Sequence, residues 1–330
     1  MTETTHRTPL RIRSIPDAIA AVPYLLGFHP ADSMLVIGFG GRHHTCAVRV
    51  DLPPLDDPAA HARTAEHAAT VLGGGGFRRA LVLGYGARGR VEPAFAAIRD
   101  TLPLEIVDAA RVTGGRWWSL VCDVPGCCPP GGTPYDISSS LVAAEATLAG
   151  RVALPGRSDL EETVAPHQGP ARDSMRRATR RAERRARTRD LAALRDEALT
   201  LLARLRSTPS PDHHDLAWLS VLLTDLRIRD EAFVRIDLDD PSADIAFWRT
   251  VLRHVEEPYA SAPACLLARA AYAAGDGGLA NVALDRAAPD YSMATLLQAV
   301  IAAGIPPDDP RLRMTPEELS TIHTTQEDDP

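Results

Sequence analysis

The sequence contains no lysine; all 36 of its basic residues are arginine. This excludes a Schiff-base lysine, a pyridoxal enzyme of the usual kind and the lysine of a P-loop. A high-GC coding bias also enriches Arg, Ala and Gly, so part of the arginine excess is compositional. Long apolar runs are missing too, since none approaches the ~18 residues of a membrane span. The opening MTETTHRTPLRIRS has no apolar core, so no secretory signal is expected and a cytoplasmic protein is. The net charge of −7 argues against a general nucleic-acid binder. Five cysteines do not close a disulfide framework. In a reducing compartment a cysteine cluster binds metal, does redox work or is simply buried.

What is present is ordinary for a folded protein: 330 residues, 45% hydrophobic and 24% charged. Single cores stop growing at roughly 250–300 residues, so two domains are expected. Residues 14–30 read as a short helix broken by prolines, with Ser14 as its cap and Pro16 in its first turn. Strands are expected at 34–40 and 45–53 around the turn Gly40–Gly41–Arg42–His43, then at 78–86, 104–112 and 116–122. Helices are expected at 58–72 and 91–101, with Pro93 confined to a first turn, and at 137–149 under a serine cap. That order implies a mixed sheet with helices packed on it. Beyond 171 the patterns are helical, near 171–206, 213–230, 242–257, 261–275, 277–288 and 291–304.

The expected architecture is therefore a two-domain α+β chain. A mixed-sheet α/β domain with a cysteine loop fills 1–150, 151–170 is a linker, 171–310 is an all-α domain and 311–330 a polar tail. Within the α domain, Ala270, Tyr272, Gly275, Ala280, Ala283, Leu284 and Pro289 have the spacing of one tetratricopeptide-type hairpin.

The chemistry concentrates in RWWSLVCDVPGCCPPGGTPYD, residues 116–136. Cys122, Cys127 and Cys128 follow the spacing C-x4-C-C. Zinc sites generally use C-x2-4-C pairs, and adjacent cysteines on an extended chain diverge, so a fourth ligand from Asp123, a histidine or Cys46 is needed. A redox pair of Cys122 with Cys127 or Cys128 is sterically open. The reading the sequence favours is the third, in which the sulfurs are small buried hydrophobes under Trp117 and Trp118. Whatever the sulfurs do, a stiff loop after a strand is a place for binding groups, and Tyr135 and Asp136 can line the same mouth.

Three further patterns invite function. Gly84-x-Gly86-x-x-Gly89 follows a strand, with Asp108 expected near the end of the next, as in a dinucleotide site. Pro93 and the preceding hairpin weaken that reading. His29, Asp32 and Ser33 form a polar stretch. The simpler account is that Asp32 and Ser33 satisfy turn N–H groups while His29 bonds the backbone. His43–His44 and His213–His214 are weak metal candidates. Finally, ARDSMRRATRRAERRARTRD carries nine arginines between 172 and 189. Met175, Ala178, Ala182 and Ala186 give it one apolar stripe. Asp173–Arg177 and Glu183–Arg187 are spaced as i,i+4 pairs. Arg176, Arg177, Arg180, Arg181 and Arg184 then face solvent or the chain's own acidic regions, the reading the sequence favours, with an acidic protein partner as the next alternative; without aromatics between them, single-strand stacking is not expected.

PYLLGFHPADSMLVIG (23–38), the cysteine stretch and GGLANVALDRAAPDYSMATLL together resemble domain-of-unknown-function family 4192, found in actinobacteria. The resemblance implies an identity and no activity. The function expected from the residues is a binding or adaptor protein acting through protein contacts. The alternatives are a metal- or thiol-dependent enzyme at the cysteine loop, with zinc as the candidate cofactor, and a nucleotide-binding protein at Gly84–Gly89.

Overall fold

A computed structural model describes residues 11–41, 45–190 and 192–327. The chain divides into two compact units, one running to Asp159 and including Val300–Pro306, the other running from Leu160 to Ala299 and resuming at Pro307. His43 and His44, and with them the end of the first hairpin turn, lie outside the described residues.

The first unit opens with α1 (Ile15–Leu26), where the Ser14 hydroxyl accepts the Asp17 N–H at 3.3 Å. The helix runs on through Pro23 instead of breaking there, and ends at Gly27 with φ of 80°. Then come β1 (Ser33–Phe39), β2 (Thr45–Asp51), α2 (Pro58–Gly74), β3 (Arg79–Tyr85), α3 (Arg88–Thr101), β4 (Glu105–Thr113), β5 (Arg116–Ser119), β6 (Thr133–Pro134) and α4 (Leu141–Leu148). They form a mixed sheet in the order β2-β1-β3-β4-β5-β6, in which only β3 and β4 run parallel. The parallel pair needs a crossover, and α3 provides it. One sheet face buries Met34, Val36, Ala80 and Val82 against Leu72, Val91 and Ile98 of α2 and α3.

Several boundaries differ from the sequence reading. The helix expected at 91–101 starts at Arg88, so Pro93 sits in its interior. The strand expected over 116–122 stops at Ser119. The helix expected at 137–149 starts at Leu141, because Ser138 bonds the Asp136 carboxylate and Ser139 the Asp136 carbonyl. The span 151–170 is not only linker: Leu154 bridges to Phe28, and α5 (Arg157–Glu162) follows.

The second unit is helical, as expected. It holds α6 (Pro170–Ala186), α7 (Arg195–Arg206), α8 (His213–Leu222), α9 (Leu226–Val234), α10 (Ser242–His254), α11 (Ser261–Ala273), α12 (Gly277–Leu284), α13 (Ser292–Ala302) as far as Ala299, and α14 (Pro316–Glu327). The single helix expected over 213–230 is two, because the Asp225 carboxylate accepts the N–H groups of Arg227 and Ile228 and starts α9. The single helix expected over 171–206 likewise ends at Ala186 and restarts at Arg195. The span 311–330 is not simply a polar tail. Thr315 and Glu318 exchange side-chain-to-backbone hydrogen bonds of 3.2 and 2.8 Å, a capping box that starts α14. Buried charge is paired inside this unit: Glu231 is 1% exposed and takes both Arg195 and Arg235, and Asp244 takes Arg206. Among the described residues no helix is long and apolar enough to cross a membrane.

Candidate functional site

The cysteine loop hangs from the β4–β5 hairpin. Gly114 and Gly115, with φ of 56° and 70°, turn the chain into β5. The Ser119 hydroxyl then accepts the N–H groups of Val121 and Cys122 at 3.2 and 3.0 Å, which ends the strand. On the return, Gly131 and Gly132 give their carbonyls to the Arg116 guanidinium at 2.7 and 2.8 Å. The Trp118 indole N–H donates to the Pro130 carbonyl at 3.0 Å. The short strand β6 pairs with β5 and holds the loop's end in place.

This clamped base presents a tight turn. The Val124 carbonyl accepts from both Cys127 and Cys128, at 3.1 and 2.8 Å. Curled in that way, adjacent cysteines no longer diverge. The Cys122 and Cys127 sulfurs are 3.3 Å apart, those of Cys127 and Cys128 3.6 Å, and all three lie within 4.8 Å of one another. A tetrahedral ion with Zn–S bonds of ~2.3 Å holds its sulfurs about 3.8 Å apart. The group can hold a metal ion. The expectation that the sulfurs are buried hydrophobes is overturned, since Cys127 is exposed and Cys122 and Cys128 are only partly covered. The three thiols are unbridged, and among the described residues no histidine or carboxylate joins the group. Cys46 cannot supply a fourth ligand. It lies on β2, four strands from β5 and so about 19 Å away across the sheet.

The thiols are electrostatically unequal. The backbone N–H of Val124, then the Cys127 and Cys128 thiols, donate toward Cys122 and lower its pKa, against the opposing charge of Asp123. Cys128 carries the complementary proton: its hydrogen bond to Cys122, with partial burial, pushes it up to about 12. Since the thiolate is the nucleophile, alkylation of the metal-free protein near neutral pH is expected to label Cys122 well before Cys128. Cys122 should also stay reactive to lower pH than an ordinary thiol. Cys265, buried and pushed up to about 12, should react only on unfolding. Peptide mapping by mass spectrometry reads the order, and a reversed order would contradict this electrostatic picture.

Comparison with known proteins adds one finding. The family described as Domain of unknown function (DUF4192) matches residues 16–308. The chain belongs to that family. No curated protein and no solved structure matches it.

In this DUF4192 chain the remaining candidates fall as follows. Gly132, with φ of 73°, has the Trp118 ring where a Cβ would stand. Gly132→Ala is therefore expected to cost about 1–2 kcal/mol from strain and overlap, read by urea unfolding with a change in tryptophan fluorescence. Asp123 is exposed beside Cys122, whereas Asp136 is held by the Ser138 N–H and hydroxyl at 2.9 and 2.7 Å. Tyr135 is half-buried near Tyr85, whose buried hydroxyl, like the indole nitrogen of Trp117, has no hydrogen-bond partner among the described residues.

The His29 stretch does not converge. His29 is exposed and its main-chain N–H bonds the Leu154 carbonyl at 2.9 Å. The Asp32 carboxylate pairs with Arg90 at 2.8 Å instead of a turn N–H, and the Ser33 hydroxyl is buried without a partner among the described residues. The glycine fingerprint is also rearranged. Gly84 lies inside β3 with Val91 of α3 where its Cβ would stand, so it serves close packing of helix on strand. Asp108 is in mid-strand, opposite Leu81, about 16 Å short of the turn that begins at Gly86 and unable to meet a ribose there.

On α6 the apolar stripe is as expected for Met175, Ala178 and Ala182, joined by Thr179. The expected i,i+4 pairs are replaced. Asp173 meets Arg176 at 3.8 Å, and Glu183 accepts the Tyr259 hydroxyl at 2.9 Å. Arg176 also reaches Glu256, and Arg181 bonds the His214 ring at 2.9 Å. Arg177, Arg180 and Arg184 are exposed and form no ion pair among the described residues. His213 packs on His254, which packs on His167, a grouping no sequence pattern announced. Sequence reasoning also missed Arg111. The signal was a charge inside the apolar strand EIVDAARVT.

Proposed function

We propose that this protein is a metal-binding protein of a reducing compartment such as the cytoplasm. It holds one thiophilic ion, zinc by class, on the thiolates of Cys122, Cys127 and Cys128. One observation carries this reading: three sulfurs converge on an exposed turn whose base is fixed by Arg116 and Trp118. Thiolates select zinc and other soft ions. Three protein ligands leave a fourth position for water or substrate, the arrangement of reactive rather than structural zinc. Asp123, next in sequence to a ligand and exposed, is the candidate acid–base group.

The test is a protein purified without oxygen or chelator, with metal and free thiols measured on one sample. About one zinc per chain, with the three loop thiols protected, is the expected result. No metal together with five freely titrating thiols after denaturation would remove the proposal. An oxidised Cys122–Cys127 pair without metal would replace it with a redox centre.

A second reading keeps the helical unit as an adaptor. It treats the two units as separate domains and α11 with α12 as a tetratricopeptide-like hairpin joined at Gly275, φ 73°. Arg177, Arg180 and Arg184, exposed and unpaired, favour an acidic protein partner. Replacing the three by glutamine should then abolish capture of a crosslinked partner from cell extract; unchanged capture would reject the surface.

A further inference from the structure

Arg111 is a buried arginine in an otherwise apolar stretch of β4. It is 8% exposed, it sits in the third position from the end of β4, and its guanidinium forms no hydrogen bond or ion pair among the described residues. Its guanidinium lies over the Trp118 ring, 3.7 Å from the ring centroid. A buried charge without a partner is costly, so such a group calls for a counter-ion.

Strand register shows which sheet face carries Arg111. Arg111 is opposite Gly84 on one side and Trp118 on the other, so the three share a sheet face. The Cβ direction of Gly84 leads straight to Val91 of α3, which identifies that face as the one α3 covers. Arg111 therefore projects beside the first turn of α3. The charges it feels most are Glu92 and Arg88, both of that turn.

The same turn has donors to spare. Its N-cap is Ala87, whose side chain accepts nothing. Arg90 and Val91 bond the Ala87 carbonyl at 3.0 Å, and the Gly86 N–H goes to Val112 at 3.1 Å. The N–H groups of Arg88 and Gly89 have no acceptor among the described residues. At Gly89 no side chain screens the backbone, and the space around its Cβ direction is open. The local carboxylates are already engaged, Glu92 with Arg88 at 2.7 Å and Asp32 with Arg90 at 2.8 Å.

We infer that Arg111 and the uncapped N-terminus of α3 form a binding site for the phosphoryl group of a small molecule. The helix start supplies two N–H donors and a partial positive charge, and the guanidinium supplies a fork matched to two phosphate oxygens. The stack on Trp118 fixes that fork before the ligand arrives. The site sits at the carboxyl end of the parallel strands β3 and β4, where α/β sheets bind ligands. It reads a phosphate and not a dinucleotide, because Asp108 is out of reach of any ribose placed there. The inference does not depend on the cysteine loop holding metal.

Titration calorimetry of the full chain with inorganic phosphate, and separately with adenosine monophosphate, tests it. Saturable binding of either at millimolar concentration or below is expected. Equal affinities mean the free anion is read; tighter binding of the nucleotide means an ester is. Arg111→Gln should weaken binding about tenfold or more. Because that change also removes the Trp118 stack, Gly89→Asp is the companion. Its carboxylate enters open space and caps the helix itself, so binding should be lost while thermal stability holds or rises. No binding by the wild type, or binding unchanged in either variant, would overturn the inference.

Discussion

Trp248→Ala is expected to destabilise the protein by about 3 kcal/mol, the lower end of what a buried tryptophan costs. Trp248 is the largest fully buried side chain, at 0% exposure on α10, and its ring meets Phe247 edge-on at 4.8 Å. Val251 and Leu252 of the same helix are also at 0% and cannot move to fill the space. The reason for the lower end is the indole nitrogen, which is buried without an acceptor among the described residues. An unpaired buried donor already costs roughly 1–3 kcal/mol, and truncation removes that penalty along with the ring. The same reasoning separates Trp248→Phe from Trp248→Ala. Phenylalanine keeps most of the apolar volume and drops the orphan N–H, so its cost should stay within about 1 kcal/mol. Urea unfolding followed by circular dichroism measures both. Equal losses for the two variants would mean that the nitrogen has a partner or that the cavity collapses.

Local chemistry was legible where it is carried by neighbours in sequence. Ser14 announces α1, the apolar runs at 34–40 and 78–86 announce β1 and β3, and the Met175–Ala178–Ala182 stripe announces the buried side of α6. Two signals were present and unread. Asp225 inside an apolar stretch is an N-cap, and Thr315-Pro-Glu-Glu318 is a capping box. β6 was not legible, because Thr133–Pro134 is a strand only by virtue of Arg116 and Trp117 beside it. The candidate site shows the same division. The spacing C-x4-C-C says that sulfurs are near in sequence. Whether they converge depends on a single carbonyl, Val124, collecting two N–H groups. Arg111 depends on register, which places it opposite Gly84 and beside a helix that only the crossover brings there. Long-range placement of this kind has no local sequence signature.

Cys128→Ser is expected to weaken zinc binding by about 100-fold and to flatten its dependence on pH. Zinc bound by four thiolate or imidazole ligands is worth roughly 10–16 kcal/mol, so each ligand accounts for about 3 kcal/mol and its loss for about two powers of ten. Serine preserves size, and Cys128 is only partly buried, so the turn should survive. The pH effect distinguishes a ligand from a neighbour. A metal takes thiolates, so every thiol that must ionise releases a proton, and affinity falls as pH falls. The three cysteines do not contribute equally to that slope. Cys122 is already biased toward thiolate by the Val124 N–H and the two neighbouring thiols, whereas Cys128 holds its proton up to about 12. Removing Cys128 therefore removes a proton that must be displaced across the whole neutral range, and the slope should drop by close to one proton. Cys122→Ser should cost similar affinity with a smaller change in slope, since its proton is released more easily. Competition against a chromophoric chelator at a series of pH values measures both quantities. Affinity that is unchanged in Cys128→Ser, or a wild-type affinity indifferent to pH, would show that the converging sulfurs are not the ligands.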